Sequence, residues 1–274
     1  MFYKKVLDLK NLSAIIINHK ATTATATATA TATEKTTMKT PAFAHQGGKV
    51  RMRKWLIDRF PTEGRIYCEP FAGKANVYFE ARKHLSFDHW QLNDINLTFL
   101  QSLRLCNPHS FPIDPDFNLL RDDESSTARV LEPKLSFCGK GYQAGKGNVK
   151  CYDRDRYRLN AKKAQVLLRQ ARLSSTSWDQ IKWNSLQEHD FVYLDPPYLK
   201  CNQVSIPYEN IDHEALVRML NQAKFKWALS GYSNPIYRKH LQYENLYIFR
   251  RYVGLRTFQS KKSKVVNEML WTNF

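Results

Sequence analysis

Phe191-Val192-Tyr193-Leu194-Asp195-Pro196-Pro197-Tyr198 sets the reading of the whole chain. Its first four residues are branched or aromatic and fit a strand buried on both faces, as in the middle of a parallel sheet. Two prolines follow, and proline has no amide to give a sheet ladder, so the strand is expected to stop at Asp195. Ligands of open α/β sheets bind beyond the carboxyl ends of the strands, which puts that carboxylate where chemistry takes place. The prolines hold the backbone extended and leave carbonyls without a local amide partner, able to accept from a ligand. A plainer reading also stands: a strand end followed by a turn with a capping Asp.

A carboxylate, a carbonyl and an aromatic face together suit a planar ring carrying an exocyclic amino group. The two acceptors take the amino hydrogens and Tyr198 stacks on the ring. Asp-Pro-Pro-Tyr resembles the catalytic motif of amino-group DNA methyltransferases, above all the Dam-like (D12 class) adenine-N6 enzymes. Further stretches follow the order of that family over about residues 43 to 273. They are Gly47-Gly48-Lys49, Glu69-Pro70-Phe71-Ala72-Gly73, Asn93-Asp94-Ile95-Asn96, Ser230-Gly231-Tyr232-Ser233-Asn234 and the closing Asn267-Glu268-Met269-Leu270-Trp271-Thr272-Asn273. Two positions depart from the family pattern. His45 stands where a Trp is usual before the first Gly, and Ala75 where a second loop Gly is usual.

Local signals give the elements around these motifs. Gly47-Gly48 precedes a mostly helical pattern from Val50 to Phe60, either a flexible entry or a set of amides bordering a ligand. Arg65 to Cys68 reads as a strand, Gly73 as a tight turn and Asn76 to His84 as a helix, the first unit of a Rossmann-like sheet. Trp90 to Asn93 is a second strand ending in Asp94. An acid there accepts from ribose hydroxyls or caps the helix from Leu97 to Leu105. Trp178 is either core or, by the resemblance, a wall for the adenine of the cofactor. A helix from His213 to Ala223, a strand from Trp227, and strands over 247–252 and 265–271 forming an antiparallel hairpin complete the pattern. The expected fold is α/β: a Rossmann-like S-adenosylmethionine-dependent methyltransferase fold with a mixed sheet and a C-terminal antiparallel hairpin.

The resemblance implies methyl transfer from S-adenosylmethionine to N6 of an adenine flipped out of double-stranded DNA. It assigns catalysis to Asp195, Pro196, Pro197 and Tyr198. It assigns cofactor binding to His45, Gly47, Gly48, Glu69, Phe71, Ala72, Gly73, Asp94, Trp178 and Asp195, with Lys49 near DNA. No metal is expected. Methylation of cytosine N4 or of RNA adenine, and a non-catalytic DNA-binding relative, are the alternatives.

Charge points to the partner independently. The 274 residues carry a net +17 at a pI near 9.7, a field that draws polyanions, nucleic acid first. Ten Lys or Arg against two Asp between Lys140 and Arg172 mark a basic patch within residues 106–172, read as a target-recognition insertion with a helix around Leu159 to Ala171. Lys140, Lys146, Arg154, Arg156 and Arg158 are its candidate phosphate contacts, joined by Arg256 and Lys261 at the hairpin tip. Residues 41–105 and 173–274 form the expected catalytic domain, with nothing to require more than a monomer or a weak dimer.

No apolar run reaches membrane-spanning length. The five cysteines lack metal-ligand spacing and are odd in number, which suits a reduced, intracellular setting; the resemblance implies the cytoplasm of a bacterial or phage-infected cell, next to DNA. The Ala/Thr alternation over residues 21–33 has too little large apolar surface for a core. Residues 1–40 therefore read as a disordered leader, although the alternation also mimics an edge strand, and Met38 is an alternative start.

Overall fold

The computed structural model describes residues 40–44, 47–136, 139, 145–147, 152–199, 211–253 and 264–274. The expected leader and the candidates His45, Lys140, Arg256 and Lys261 lie outside them. Strand β4 (Phe191–Leu194) is buried along its whole length and ends where the prolines begin. Its side chains alternate between two cores, as a pleat requires. Phe191 and Tyr193 join one with Tyr67 and Phe79, while Val192 and Leu194 join the other with Ile66 and Trp227.

Around β4 the chain lays down β1 (Glu63–Glu69), β2 (Ser86–Asn93), β3 (Ala171–Ser174), β5 (Lys226–Gly231), β6 (Asn245–Val253) and β7 (Lys264–Thr272). The sheet has seven strands in the order β3-β2-β1-β4-β5-β7-β6. The first five are parallel; β7 runs antiparallel between β5 and β6. This is the expected mixed Rossmann-like sheet with its terminal hairpin. The chain leaves β1 toward one edge and β4 toward the other, so a crevice opens beyond the carboxyl ends of these two neighbours. Asp190 fixes their register from the opposite end. Its carboxylate, fully buried, accepts from the amides of Ile66 (3.1 Å) and Gln187 (2.8 Å) and from the Arg65 guanidinium.

Helices α1 (Arg53–Ile57), α2 (Asn76–His84) and α3 (Thr98–Leu105) pack beside the sheet, followed by α4 (Phe117–Arg121), α5 (Ser126–Leu135), α6 (Arg154–Leu168), α7 (His213–Asn221) and α8 (Pro235–His240). Helix α2 has the expected bounds. Helix α1 is shorter than the pattern from Val50 to Phe60 suggests, because turns occupy both of its flanks. Helix α6 begins five residues before the expected Leu159: Asp153 caps it by accepting from the Arg156 amide at 3.0 Å, a start hidden in an Arg-Asp-Arg run. It also stops earlier, and Ala171 to Ser174 pair with β2 instead of extending the helix. Tyr157, Ala161, Ala164 and Leu168, spaced to share one helical face, join the same core as Tyr67. Gln165 on this helix donates to the carbonyls of Leu103 (2.9 Å) and Cys106 (2.8 Å), stitching it to the end of α3.

Ala75, where the family pattern has glycine, sits in the left-handed region at φ 53° and ψ 31° with its methyl group buried. An L-residue there costs roughly 1–2 kcal/mol. Ala75→Gly relieves that strain but loses the buried methyl and gains unfolded-state entropy, so its urea midpoint should stay close to the parent's. Ala75→Val, β-branched in the same conformation, should lower stability by about 2 kcal/mol or more.

Candidate active site

The crevice over β1 and β4 holds a cavity of about 770 Å³, within the usual range of roughly 300–1,000 Å³ for ligand sites. Every described candidate for cofactor binding and catalysis lines it: Gly47 and Gly48, the loop with Glu69, Phe71, Ala72 and Gly73, then Asp94, Trp178 and the run from Asp195 through Pro196 and Pro197 to Tyr198. Residues far apart in sequence converge because β1 and β4 end side by side.

At the end of β4, each Asp195 oxygen has a donor. Lys49 Nζ lies 2.6 Å from Oδ2, and the Tyr198 hydroxyl is 2.9 Å from Oδ1. Burial raises the Asp195 pKa, the Lys49 charge opposes that rise, and Glu268 adds to it. Glu268 is fully buried on β7, with Oε1 at 2.7 Å from the Tyr198 hydroxyl and 3.2 Å from Lys49 Nζ. Lys49, expected near DNA, is 5% exposed and points its ammonium into this cluster. It also donates to the Gly47 carbonyl at 3.0 Å. Burial works against its charge, but its pKa is raised on balance by the two carboxylates. The Tyr198 ring packs edge-on against Tyr232, centroids 4.8 Å apart. Behind the prolines, His213 Nδ1 lies 2.6 Å from the Tyr237 hydroxyl, and burial lowers the pKa of this imidazole.

Across the cavity, Glu69 ends β1. It is 3% exposed and accepts from the Tyr67 hydroxyl at 2.6 Å. Burial pushes its carboxyl from 4.5 up to about 8, against the pull of the Tyr67 hydroxyl and the Tyr78 amide and with help from the Asp195 charge. The folded chain thus holds this proton more tightly than the unfolded chain does. That stability is complete below pH 4.5 and is lost as pH rises through about 8. Urea titrations of Glu69→Gln should show a flatter dependence than the parent between these limits.

Asp94 does not cap α3, whose N-cap is Leu97 with no side-chain bond. Its Oδ2 accepts from the Gly73 amide at 2.8 Å and its Oδ1 from the Asn96 amide at 2.9 Å, so it braces the glycine loop from the β2 side. Gly73 at φ 52° makes that turn possible. Trp178 lines the cavity and packs, partly buried, against the second core. Lys74, unassigned from sequence, lines the cavity with its ammonium 4.0 Å from the Phe99 centroid and its pKa pushed down to about 8 by burial, against the attraction of Glu132 and Asp94.

Sequence reading also passed over Glu268. Its signal was present: a carboxylate among the apolar Val265, Val266, Met269, Leu270 and Trp271 of one strand.

Outside the cavity, Arg154, Arg158 and Lys162 recur every four residues on α6, beside His109, whose pKa is lowered first by Lys162 and then by Arg158. Arg156 and Lys146 are exposed; Arg154 and Arg158 are half-buried and share Asp155. Among the described residues no group of three or more His, Cys, Asp or Glu could hold a metal ion, and no helix is long and apolar enough to cross a membrane. Cys68 and Cys106 are buried free thiols.

A seven-stranded sheet with an antiparallel last strand, and a cavity over its switch point, give the Rossmann-like fold of S-adenosylmethionine-dependent methyltransferases. Residues 45–116 match the family model described as D12 class N6 adenine-specific DNA methyltransferase, which bears out the resemblance over the Gly-Gly-Lys, Glu-Pro-Phe-Ala-Gly and Asn-Asp-Ile-Asn motifs and supports methyl transfer with S-adenosylmethionine as cofactor. No curated protein matches the chain.

Similar solved structures include an RNA methyltransferase candidate from Pyrococcus horikoshii, at 10% identity and TM-score 0.42, covering 88% of this chain and 94% of the other. A precorrin-6y C5,15-methyltransferase from Geobacter metallireducens has 12% identity and TM-score 0.37, covering 81% and 86%. TrmN from Thermus thermophilus has 12% identity and TM-score 0.36, covering 81% and 47%. At these levels nothing of what those proteins act on passes to this chain.

Proposed function

We propose that this protein methylates N6 of an adenine flipped out of double-stranded DNA. The observation that carries the reading is the Asp195 carboxylate at the end of β4, beside the Tyr198 ring and across one cavity from the Glu69–Gly73 loop. The donor set suits the cofactor: a buried carboxylate at Glu69 for its ammonium, a braced glycine loop, and Phe71 and Trp178 as apolar walls. Gly47, Gly48 and Ala72 supply backbone close to it, and Asp94, although engaged by two amides, is at the ribose end.

When bound, S-adenosylmethionine supplies a methyl group already activated by a sulfonium. Asp195 and the Pro196 carbonyl accept the two amino hydrogens of the target and fix the direction of the nitrogen lone pair, while Tyr198 holds the ring. Pro197, with its fixed φ, keeps that segment extended. Glu69 gives up its proton to receive an ammonium, so cofactor affinity should increase as pH climbs toward about 8. Flipping the base costs on the order of a few kcal/mol, and the basic stripe on α6, with Lys146 and Arg156, offsets that through phosphate contacts. Residues 106–172 carry target recognition in this reading. The setting is cytoplasmic, the partner duplex DNA, and the acting unit a monomer or weak dimer.

Incubation of DNA and RNA with methyl-labelled cofactor, followed by digestion to nucleosides and mass spectrometry, tests the reading. Labelled N6-methyladenine from DNA is the expected result. Label in cytosine, or in RNA alone, overturns the assignment to DNA adenine, and no label in any substrate overturns methylation itself.

A further inference from the structure

We propose that Glu268 is a positioning residue of this site: it draws the Lys49 ammonium and the Tyr198 hydroxyl away from Asp195 when a substrate amino group arrives. The inference deepens the methyl-transfer reading and rests on it. As the protein stands, both donors that the carboxylate must release are already attached to it, Lys49 at 2.6 Å and Tyr198 at 2.9 Å. Lys49 Nζ also lies 5.0 Å from the Tyr198 ring centroid. It thus occupies the place beside Asp195 and Tyr198 that an incoming ring amino group needs.

Both donors have one other acceptor in common, Glu268 Oε1, at 3.2 Å from Lys49 and 2.7 Å from Tyr198. A phenol has a single hydrogen and cannot serve two carboxylates at once, so Tyr198 has a choice between them. Lys49 has three hydrogens, one on the Gly47 carbonyl, and moves by a small rotation from one carboxylate to the other. A buried ammonium pushed off its partner without a second counter-ion would be left uncompensated at high cost. Glu268 removes that obstacle. It is held in place because β7 is paired on both sides, Leu270 with Ser230 of β5 and Glu268 with Phe249 of β6. The other titratable groups acting at this cluster, Glu69, Tyr193 and Tyr237, stand on β1, β4 and α8 and offer no such shared acceptor.

Three variants and one titration decide the matter. With DNA and cofactor saturating, Glu268→Ala should lower kcat roughly tenfold, as expected for coupled neighbours, with the cofactor dissociation constant within about twofold of the parent's. Glu268→Gln, which keeps an acceptor for Tyr198 but no charge for Lys49, should fall between. Adding Lys49→Met to Glu268→Ala should recover activity several-fold over the single variant, because no ammonium remains to lock the carboxylate. A double variant no better than Glu268→Ala, or single variants with the parent's kcat, overturns the proposal.

The titration needs no nucleic acid: carbon-13 NMR of the Asp195 carboxyl should show a lower pKa in Glu268→Gln, where the repelling charge is gone and Lys49 serves Asp195 alone. An unmoved or higher value overturns the proposal. This readout stays decisive if Glu268→Ala does not fold. It also stays decisive if the parent methylates no DNA adenine, a result that would instead remove the proposed function.

Discussion

Asp195→Ala lowers methyl transfer by about a thousandfold or more while leaving cofactor affinity nearly unchanged. Removing one pre-aligned polar group from a water-poor reaction centre costs about a hundred- to a thousandfold, and under the proposed function the same group also orients the attacking nitrogen. Cofactor affinity is spared because the opposite wall is braced without Asp195: the Gly73 amide rests on Asp94 and the Ala72 amide on the Asn93 carbonyl at 2.9 Å. The variant should still fold, since Lys49 keeps Glu268 and the Gly47 carbonyl as partners. Calorimetric titration with cofactor and transfer of labelled methyl to DNA measure the two halves separately. Full turnover would refute the role of Asp195, and lost cofactor binding would show that it braces the whole cavity.

Asp190→Ala is expected to have the largest effect on stability. The substitution strands the buried amide of Ile66, at a cost of about 1–3 kcal/mol, and removes the charged acceptor of the part-buried Gln187 amide, a hydrogen bond of about 1.5–3 kcal/mol. Arg65 is largely exposed and rehydrates, so it adds little. The damage is local to the β1–β4 seam, whose far ends carry Glu69 and Asp195, so activity should fall before the chain unfolds globally. Urea denaturation followed beside methyl transfer checks both statements; an unchanged midpoint would show that the seam is held by packing alone.

Much of the architecture could be read before any coordinates. Phe191 to Leu194 are apolar without alternation and stop at prolines, and α2 follows a turn glycine, so local chemistry alone sets both. What stayed hidden depends on partners distant in sequence. Nothing near Lys49 reveals that its charge meets Asp195 and Glu268 rather than phosphate, because that meeting requires the end of β4 and the middle of β7 to come together at Lys49. Asp94 carried two local readings, and neither named its bond to Gly73. Helix α6 started early because Asp153 caps it, a signal masked by the surrounding charges. Ala75 was noticed as a departure, yet its left-handed backbone shows why glycine suits that position.

The bond pair from Gln165 to the carbonyls of Leu103 and Cys106 has a mechanical corollary. Chain leaving the core after α3 returns along a helix fastened to its point of departure, and the span between feeds Phe111, Phe117, Val130, Leu131 and Leu135 into the core that holds Tyr67, with Arg129 and Glu132 on the cavity wall. A change of packing in that span is therefore passed on to the cavity rather than absorbed at its edge.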